Sequence, residues 1–301
     1  MSLHQKGIAD PVQRRNPISH FIILTKFPIS LASALTAGLG YLVAWGHWDT
    51  RLLWIAAGTL LLGMGSGALN EVQECTFDAL MDRTRQRPLP AGHFSPSVGT
   101  GVGCVLALAG FLVLVWRGGW LPASIGLLAL VWYNGVYTPL KRKSALAVLP
   151  GSIIGALPPF IGWTAMGGTL LHPRILILGF LMLVWQIPHF WLLILLHGDD
   201  YERGGFPTLR QSIGPWGLSK LTLLWVGLLA CSAPLLTMEG LVSNPVCRGG
   251  LGLASLALLV AGFWLLRPRA DKRRFRRMFL IVNLFGVLAG MALLLDPLCK
   301  P

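Results

Sequence analysis

Asn70, Glu74 and Asp78 stand four residues apart in the run NEVQECTFDALMDRTRQRPLP at positions 70–90. On a helix that spacing turns each residue only about 40° from the last and raises it about 6 Å, so the three share one face over two turns. One amide and two carboxylates offer oxygen donors only. Such a set suits Mg²⁺, which takes a few carboxylates and completes its shell with water and substrate phosphate. Arg83, Arg85 and Arg87 follow at once, and Arg83 and Arg87 are candidates to grip phosphate oxygens. The plainer alternative is a solvated helix end with hydrogen bonds between residues four apart. Against it stands the long apolar run just before, which leaves Asn70 and Glu74 near membrane depth, where polar side chains are costly.

Three further stretches carry groups of the same kind. Asp199 and Asp200 fall in a predicted loop running from His197 to Pro207. As an isolated pair they read equally as ordinary loop charges; their interest is that they emerge on the same membrane face as the first cluster. Two acidic, metal-binding loops on one face suit a diphosphate leaving group, with the apolar bundle holding its lipid tail. Tyr133 and Tyr137 share a helix face and lead into Lys141 and Arg142. They read either as an interfacial aromatic belt or as π-face support for a cationic intermediate, with the two basic residues on phosphate. Trp185, Gln186 and His189 lie inside a later apolar run. His189 is either a histidine bonded to another helix, a haem ligand or a proton-transfer group.

The elements that must position these residues are membrane helices. Of 301 residues, 54% are hydrophobic and only 12% charged, against about 25% charged in soluble domains. A span needs about 20 mostly apolar residues. Nine are predicted, at 20–45, 52–76, 96–116, 120–138, 145–167, 173–197, 215–237, 248–267 and 275–296. Ser95 and Pro96 read as a helix cap followed by proline at the first helical position, and Arg117-Gly118-Gly119 divides the third span from the fourth. Gly63-x-x-x-Gly67 and Gly151-x-x-x-Gly155 place small residues on one helix face, which permits close packing in lipid. The fold class expected is therefore an all-α polytopic membrane protein, a single domain over 1–301 with a polar tail at 1–19 that has no cleavable signal pattern.

The net charge of +13 expresses topology and not nucleic-acid binding. With the N-terminus placed in the cytoplasm, 20 of the 25 Lys and Arg fall on that side, leaving Arg51, Arg117, Arg174, Arg248 and Lys300 on the other. The cluster at 267–277 then reads as a topology anchor in contact with anionic lipid. A bacterial-type inner membrane, with the C-terminus on the opposite side, is the location expected. Cys75, Cys104, Cys231, Cys247 and Cys299 include no CxxC pair, so neither a disulfide framework nor a structural metal is expected.

Asn70-x-x-x-Glu74-x-x-x-Asp78 followed by Met81-x-Arg83-Thr84-x-x-Arg87-Pro88-Leu89 resembles the first acidic motif of the UbiA superfamily of intramembrane prenyltransferases. Leu24-Thr25-Lys26, Tyr137-Thr138-Pro139-Leu140-Lys141-Arg142, Gly155-Ala156-Leu157-Pro158-Pro159, Trp185-Gln186-x-Pro188-His189-Phe190 and Asp200-Tyr201-x-x-Gly204-Gly205-x-Pro207 are similar to the haem O synthase family within it. The resemblance spans about 20–296. It implies nine helices around a central cavity and transfer of a farnesyl group from farnesyl diphosphate to a vinyl group of haem b, assisted by Mg²⁺. It also implies a place beside haem A synthase or a terminal oxidase. Carried over, Asn70, Glu74 and Asp78 hold the metal–diphosphate, Asp200 with Asp199 serves the second acidic motif, and Lys26, Arg83, Arg87, Lys141 and Arg142 neutralise diphosphate. Tyr133, Tyr137, Trp185, Gln186 and His189 face the acceptor or the developing cation. The family usually has aspartate where this chain has Glu74. Prenylation of a quinone precursor or other aromatic acceptor is the competing reading. A transporter, also polar inside its bundle, would place charges at mid-membrane instead of at one interface.

Overall fold

A computed structural model describes residues 16–267 and 271–296. Most of the predicted tail at 1–19, the orienting charges Lys6, Arg14, Arg15, Arg269 and Lys300, and Cys299 fall outside the described residues. In chain order the helices are α1 (Pro17–Leu24), α2 (Phe27–Trp45), α3 (Thr50–Asp78), α4 (Pro96–Gly118) and α5 (Trp120–Val131). A π-helix (Trp132–Tyr137) runs on into the short α6 (Thr138–Leu140). Then come α7 (Val148–Ala165), α8 (Pro173–Arg203), α9 (Leu209–Met238), α10 (Pro245–Gly262) with a 3₁₀ turn (Phe263–Leu266), and α11 (Lys272–Leu295). Among the described residues, eight helices are long and apolar enough to cross a membrane. The predicted span at 120–138 is the composite of α5, the π-helix and α6.

Local chemistry explains the ends. Ser95 caps α4 with Pro96 at its first position, as predicted, and Asp49 caps α3 by accepting the Leu52 N–H at 3.0 Å. Gly119 takes φ +97° and separates α4 from α5. Two expectations are corrected. The first span is not continuous: it breaks at Thr25-Lys26, where Pro28 sits in the first turn of α2 and Lys26 adopts φ +48°, the only positive φ at a described non-glycine residue. The segment from His197 to Arg203, predicted as loop, is the last part of α8 beyond a kink at His197 (φ −124°), and glycines 204 and 205 end it. Asp199 and Asp200 are therefore helical.

The helices pack as a closed set. α3 lies against α2 and α4, α7 against α2 and α8, and α9 and α10 follow in order to α11, which returns to α8 and touches α2. The first small-residue motif makes room for the chain at the α1–α2 junction and the second for side chains. A Cβ at Gly67 would stand 2.8 Å from the Thr25 carbonyl, so glycine there admits the broken α1–α2 junction. At Gly151 and Gly155 a Cβ would strike the Tyr137 ring and the Gln186 amide.

Candidate active site

The polar face of α3 is sealed inside the bundle. Asn70 is 0%, Glu74 3% and Asp78 1% exposed. Each meets a partner from another element. Lys26, brought in by the α1–α2 break, donates to Asn70 Oδ1, and its Nζ lies 3.3 Å from the Tyr133 hydroxyl. The Asn70 amide donates to Thr138 Oγ1 at 2.7 Å. Lys141, at the end of α6, forms an ion pair with Glu74. Arg87 Nη1 lies 2.6 Å from Asp78 Oδ2. Burial works against the charge of Arg87, but Asp78, with Glu71 and Glu74 behind it, outweighs burial and holds it above its ordinary value.

The π-helix completes this face. Its wider turn stacks Tyr133 on Tyr137 with ring centroids 5.8 Å apart and planes 16° apart, and Lys141 stands 5.7 Å over the Tyr137 ring. π-bulges of this kind recur at functional sites because they re-aim side chains without ending the helix. Asn134 ties the segment to α3 by donating to Ser66 Oγ at 2.7 Å. Arg142 is turned elsewhere: it donates to the Gln73 carbonyl and lies 4.5 Å over the Phe77 ring.

The end of α8 meets this region through its far side. Arg203 bridges Asp200 and Asp82, the latter at 2.8 Å. Arg83, exposed, has Nη2 3.4 Å from the Tyr201 hydroxyl. The Phe206 ring lies 5.5 Å from that of Phe77, tilted 45° to it, and 5.2 Å below Lys141. Asp199 is held by Arg210 at 2.7 Å and Lys272 at 3.4 Å, contacts from α9 and α11.

The sequence-predicted residues thus fall into groups. Lys26, Asn70, Glu74, Asp78, Arg87, Tyr133, Tyr137 and Lys141 come together. Asp200 and Arg83 border them, and Asp199 pairs with other helices. The acceptor candidates divide. Trp185 donates to the Val282 carbonyl at 3.0 Å, and His189 Nδ1 lies 3.0 Å from Asn283 Oδ1, both on α11. Gln186 points to α7 instead, donating to the Ser152 carbonyl at 2.9 Å. Sequence reasoning missed Glu71 and Asp82. Glu71 is 0% exposed on α3, and its signal was available: an ionisable residue inside a membrane-length helix.

Among the described residues no three His, Cys, Asp or Glu side chains are grouped closely enough to hold a metal alone. The oxygen-only set of Asn70, Glu74 and Asp78 still fits Mg²⁺, which typically uses one or two carboxylates and leaves its other positions to water and phosphate.

Acids and cations stand in a buried row at one end of a helical membrane bundle, and the chain belongs to the UbiA prenyltransferase family, whose model matches residues 31–284. Its relatives are narrower in kind. A protein from Geobacter sulfurreducens named protoheme IX farnesyltransferase is 44% identical over 244 residues, 81% of this chain and 87% of its own length. One of the same name from Aquifex aeolicus is 36% identical over 279 residues, covering 91% and 95%. Solved structures share the fold at low identity. A digeranylgeranylglyceryl phosphate synthase superposes with a TM-score of 0.76 at 13% identity, covering 94% of this chain and 99% of its own. A UbiA homologue from Archaeoglobus fulgidus bound to GPP and Mg²⁺ gives 0.63 at 12%, covering 91% and 99%.

Proposed function

We propose that this protein transfers a farnesyl group from farnesyl diphosphate to a vinyl group of haem b, producing haem O. The diphosphate chemistry rests on one observation above all: the α3 oxygen donors are matched with cations from separate segments, Glu74 with Lys141 and Asp78 with Arg87, while Lys26 meets Asn70. Such pairs can exchange partners. The carboxylates and the Asn70 oxygen would hold Mg²⁺, and Lys26, Arg87 and Lys141 would take diphosphate oxygens. The likeness to relatives named protoheme IX farnesyltransferase supports haem as the acceptor.

The reaction then follows from charge. Bound Mg²⁺ would supply neutralisation of the departing diphosphate. Lys26, Arg87 and Lys141 stabilise the same oxygens as the farnesyl C1–O bond breaks. The vinyl carbon attacks C1, forming the new carbon–carbon bond. Water adds to the resulting porphyrin-side cation and loses a proton, leaving the hydroxyl. The stacked Tyr133 and Tyr137 present π-faces beside the leaving group and support the farnesyl cation. Asp200, bordering the site, serves the second acidic position. We infer a cytoplasmic N-terminus and a bacterial inner-membrane location from the weight of Lys and Arg at the end that carries the site. Haem A synthase or a terminal oxidase is the proposed recipient of the product.

The test is to incubate the purified protein with haem b, farnesyl diphosphate and Mg²⁺ and to look for haem O by mass spectrometry, with a chelator as control. Product that disappears with chelator is expected. No product with haem, but a prenylated quinone precursor in its place, would overturn the acceptor.

A further inference from the structure

Glu71 has no part in the exchange just described, yet it is a carboxylate with no exposed surface, one residue from Asn70. Its Oε1 accepts the Leu89 N–H at 3.2 Å. Its Oε2 is buried without a hydrogen-bond partner. A buried carboxylate is an expensive acceptor for one amide, because a neutral side chain would serve at lower desolvation cost.

Two features of its surroundings account for it. The first is the segment it holds, Arg87-Pro88-Leu89-Pro90-Ala91. Prolines carry no backbone N–H, so Leu89 has the only main-chain donor between Arg87 and Ala91. Arg87 N–H goes to Thr84 and Ala91 N–H to Arg87 itself, both at 2.9 Å and both within the loop. The Leu89 N–H is thus the main-chain bond that ties this stretch to α3, while its side chain packs with Leu24 and Ala68. The second is charge. Glu71 lies within electrostatic reach of Arg87 and Lys26, the two cations that meet Asp78 and Asn70 on α3.

We propose that Glu71 is a positioning residue for the prenyl diphosphate. It pins the Arg87 segment to α3 through Leu89, so that the guanidinium keeps its place when Asp78 releases it to phosphate. The proposal rests on the diphosphate reading above. Its effect is on binding of the diphosphate and not on the acceptor.

The experiment measures the Kd of farnesyl diphosphate in the presence of Mg²⁺ and without acceptor, for the full chain in nanodiscs. Glu71→Ala should weaken binding about 10-fold, the equivalent of losing one charge-assisted hydrogen bond. Glu71→Gln keeps an oxygen for the Leu89 N–H and loses only the charge beside Arg87 and Lys26, so it should stay within about threefold of the parent. The affinity for haem b should change less than about twofold in both. Glu71→Met, similar in volume and without an acceptor, stands in should the alanine variant not fold. The proposal is overturned if the alanine variant binds within about twofold of the parent, if glutamine is as weak as alanine, or if haem affinity falls in parallel. Loss of the fold in both Ala and Met variants overturns it too, since Glu71 would then be purely structural. A parent that fails to bind farnesyl diphosphate sinks the diphosphate reading itself, which separates the two failures.

Discussion

The acids of α3 and those at the end of α8 stand at the same end of the bundle, and both sets are paired with cations. They differ in burial, most of all at Asp199. Glu74 and Asp78 are 3% and 1% exposed, whereas the Asp200 side chain is 12% and the Asp199 side chain 58% exposed. In water an ion pair contributes little, since solvent screens it and the side chains lose freedom. Inside the bundle the same pair is held together by the cost of separating it. The α3 acids are also rigidly spaced by an unbroken helix, while Asp199 and Asp200 follow the kink at His197. Residues of one chemical type therefore carry different weight: the proposed metal–diphosphate site rests on α3, and the α8 end borders it.

The largest break in that comparison would come at Asp78. Asp78→Asn should lower haem O formation at least about 100-fold, the scale of a lost electrostatic partner at a developing charge, in protein that remains folded and membrane-inserted by size-exclusion chromatography. Retained turnover would remove Asp78 from the metal set. Next comes Lys141. Lys141→Met strands Glu74 as a buried, unpaired carboxylate and should cost about 3 kcal/mol in thermal unfolding. Adding Glu74→Leu should restore most of that stability, though not activity. Smallest is Asp199→Asn, which should leave turnover within about threefold and stability within about 1 kcal/mol, as for exposed pairs generally. A loss at Asp199 as large as at Asp78 would erase the distinction and bring Asp199 into the metal shell.

The α3 face was legible because two independent signals coincide there, four-residue spacing and a membrane-length apolar run. The span positions were legible for the same reason, since Gly119, Ser95-Pro96 and the basic clusters punctuate the apolar stretches. What escaped is tertiary. Nothing local to Thr25-Lys26 requires a left-handed lysine; the junction forms because Gly67 on α3 lets it approach. The π-helix at 132–137 likewise depends on Asn134 reaching Ser66 and Thr138 reaching Asn70. Trp185, Gln186 and His189 read as one polar group on a single helix. Their separation into contacts with α11 and α7 follows from which helices flank α8, and one-dimensional spacing holds no record of that. Glu71 lies one residue off the four-residue pattern, on a neighbouring stripe of α3, so that spacing does not mark it.

The bend at Lys26 has a cost to the fold. A left-handed conformation at a residue with a Cβ costs roughly 1–2 kcal/mol, and glycine would escape that cost. A chain shaped by folding stability alone would carry glycine at the bend, as it does at Gly119 and Gly205. Here the chain carries lysine at φ +48°, with its ammonium beside Asn70 and Tyr133. The proposed grip of Lys26 on diphosphate would give that strain a use, and among the described residues the backbone alone, before any side-chain contact is considered, singles out this position.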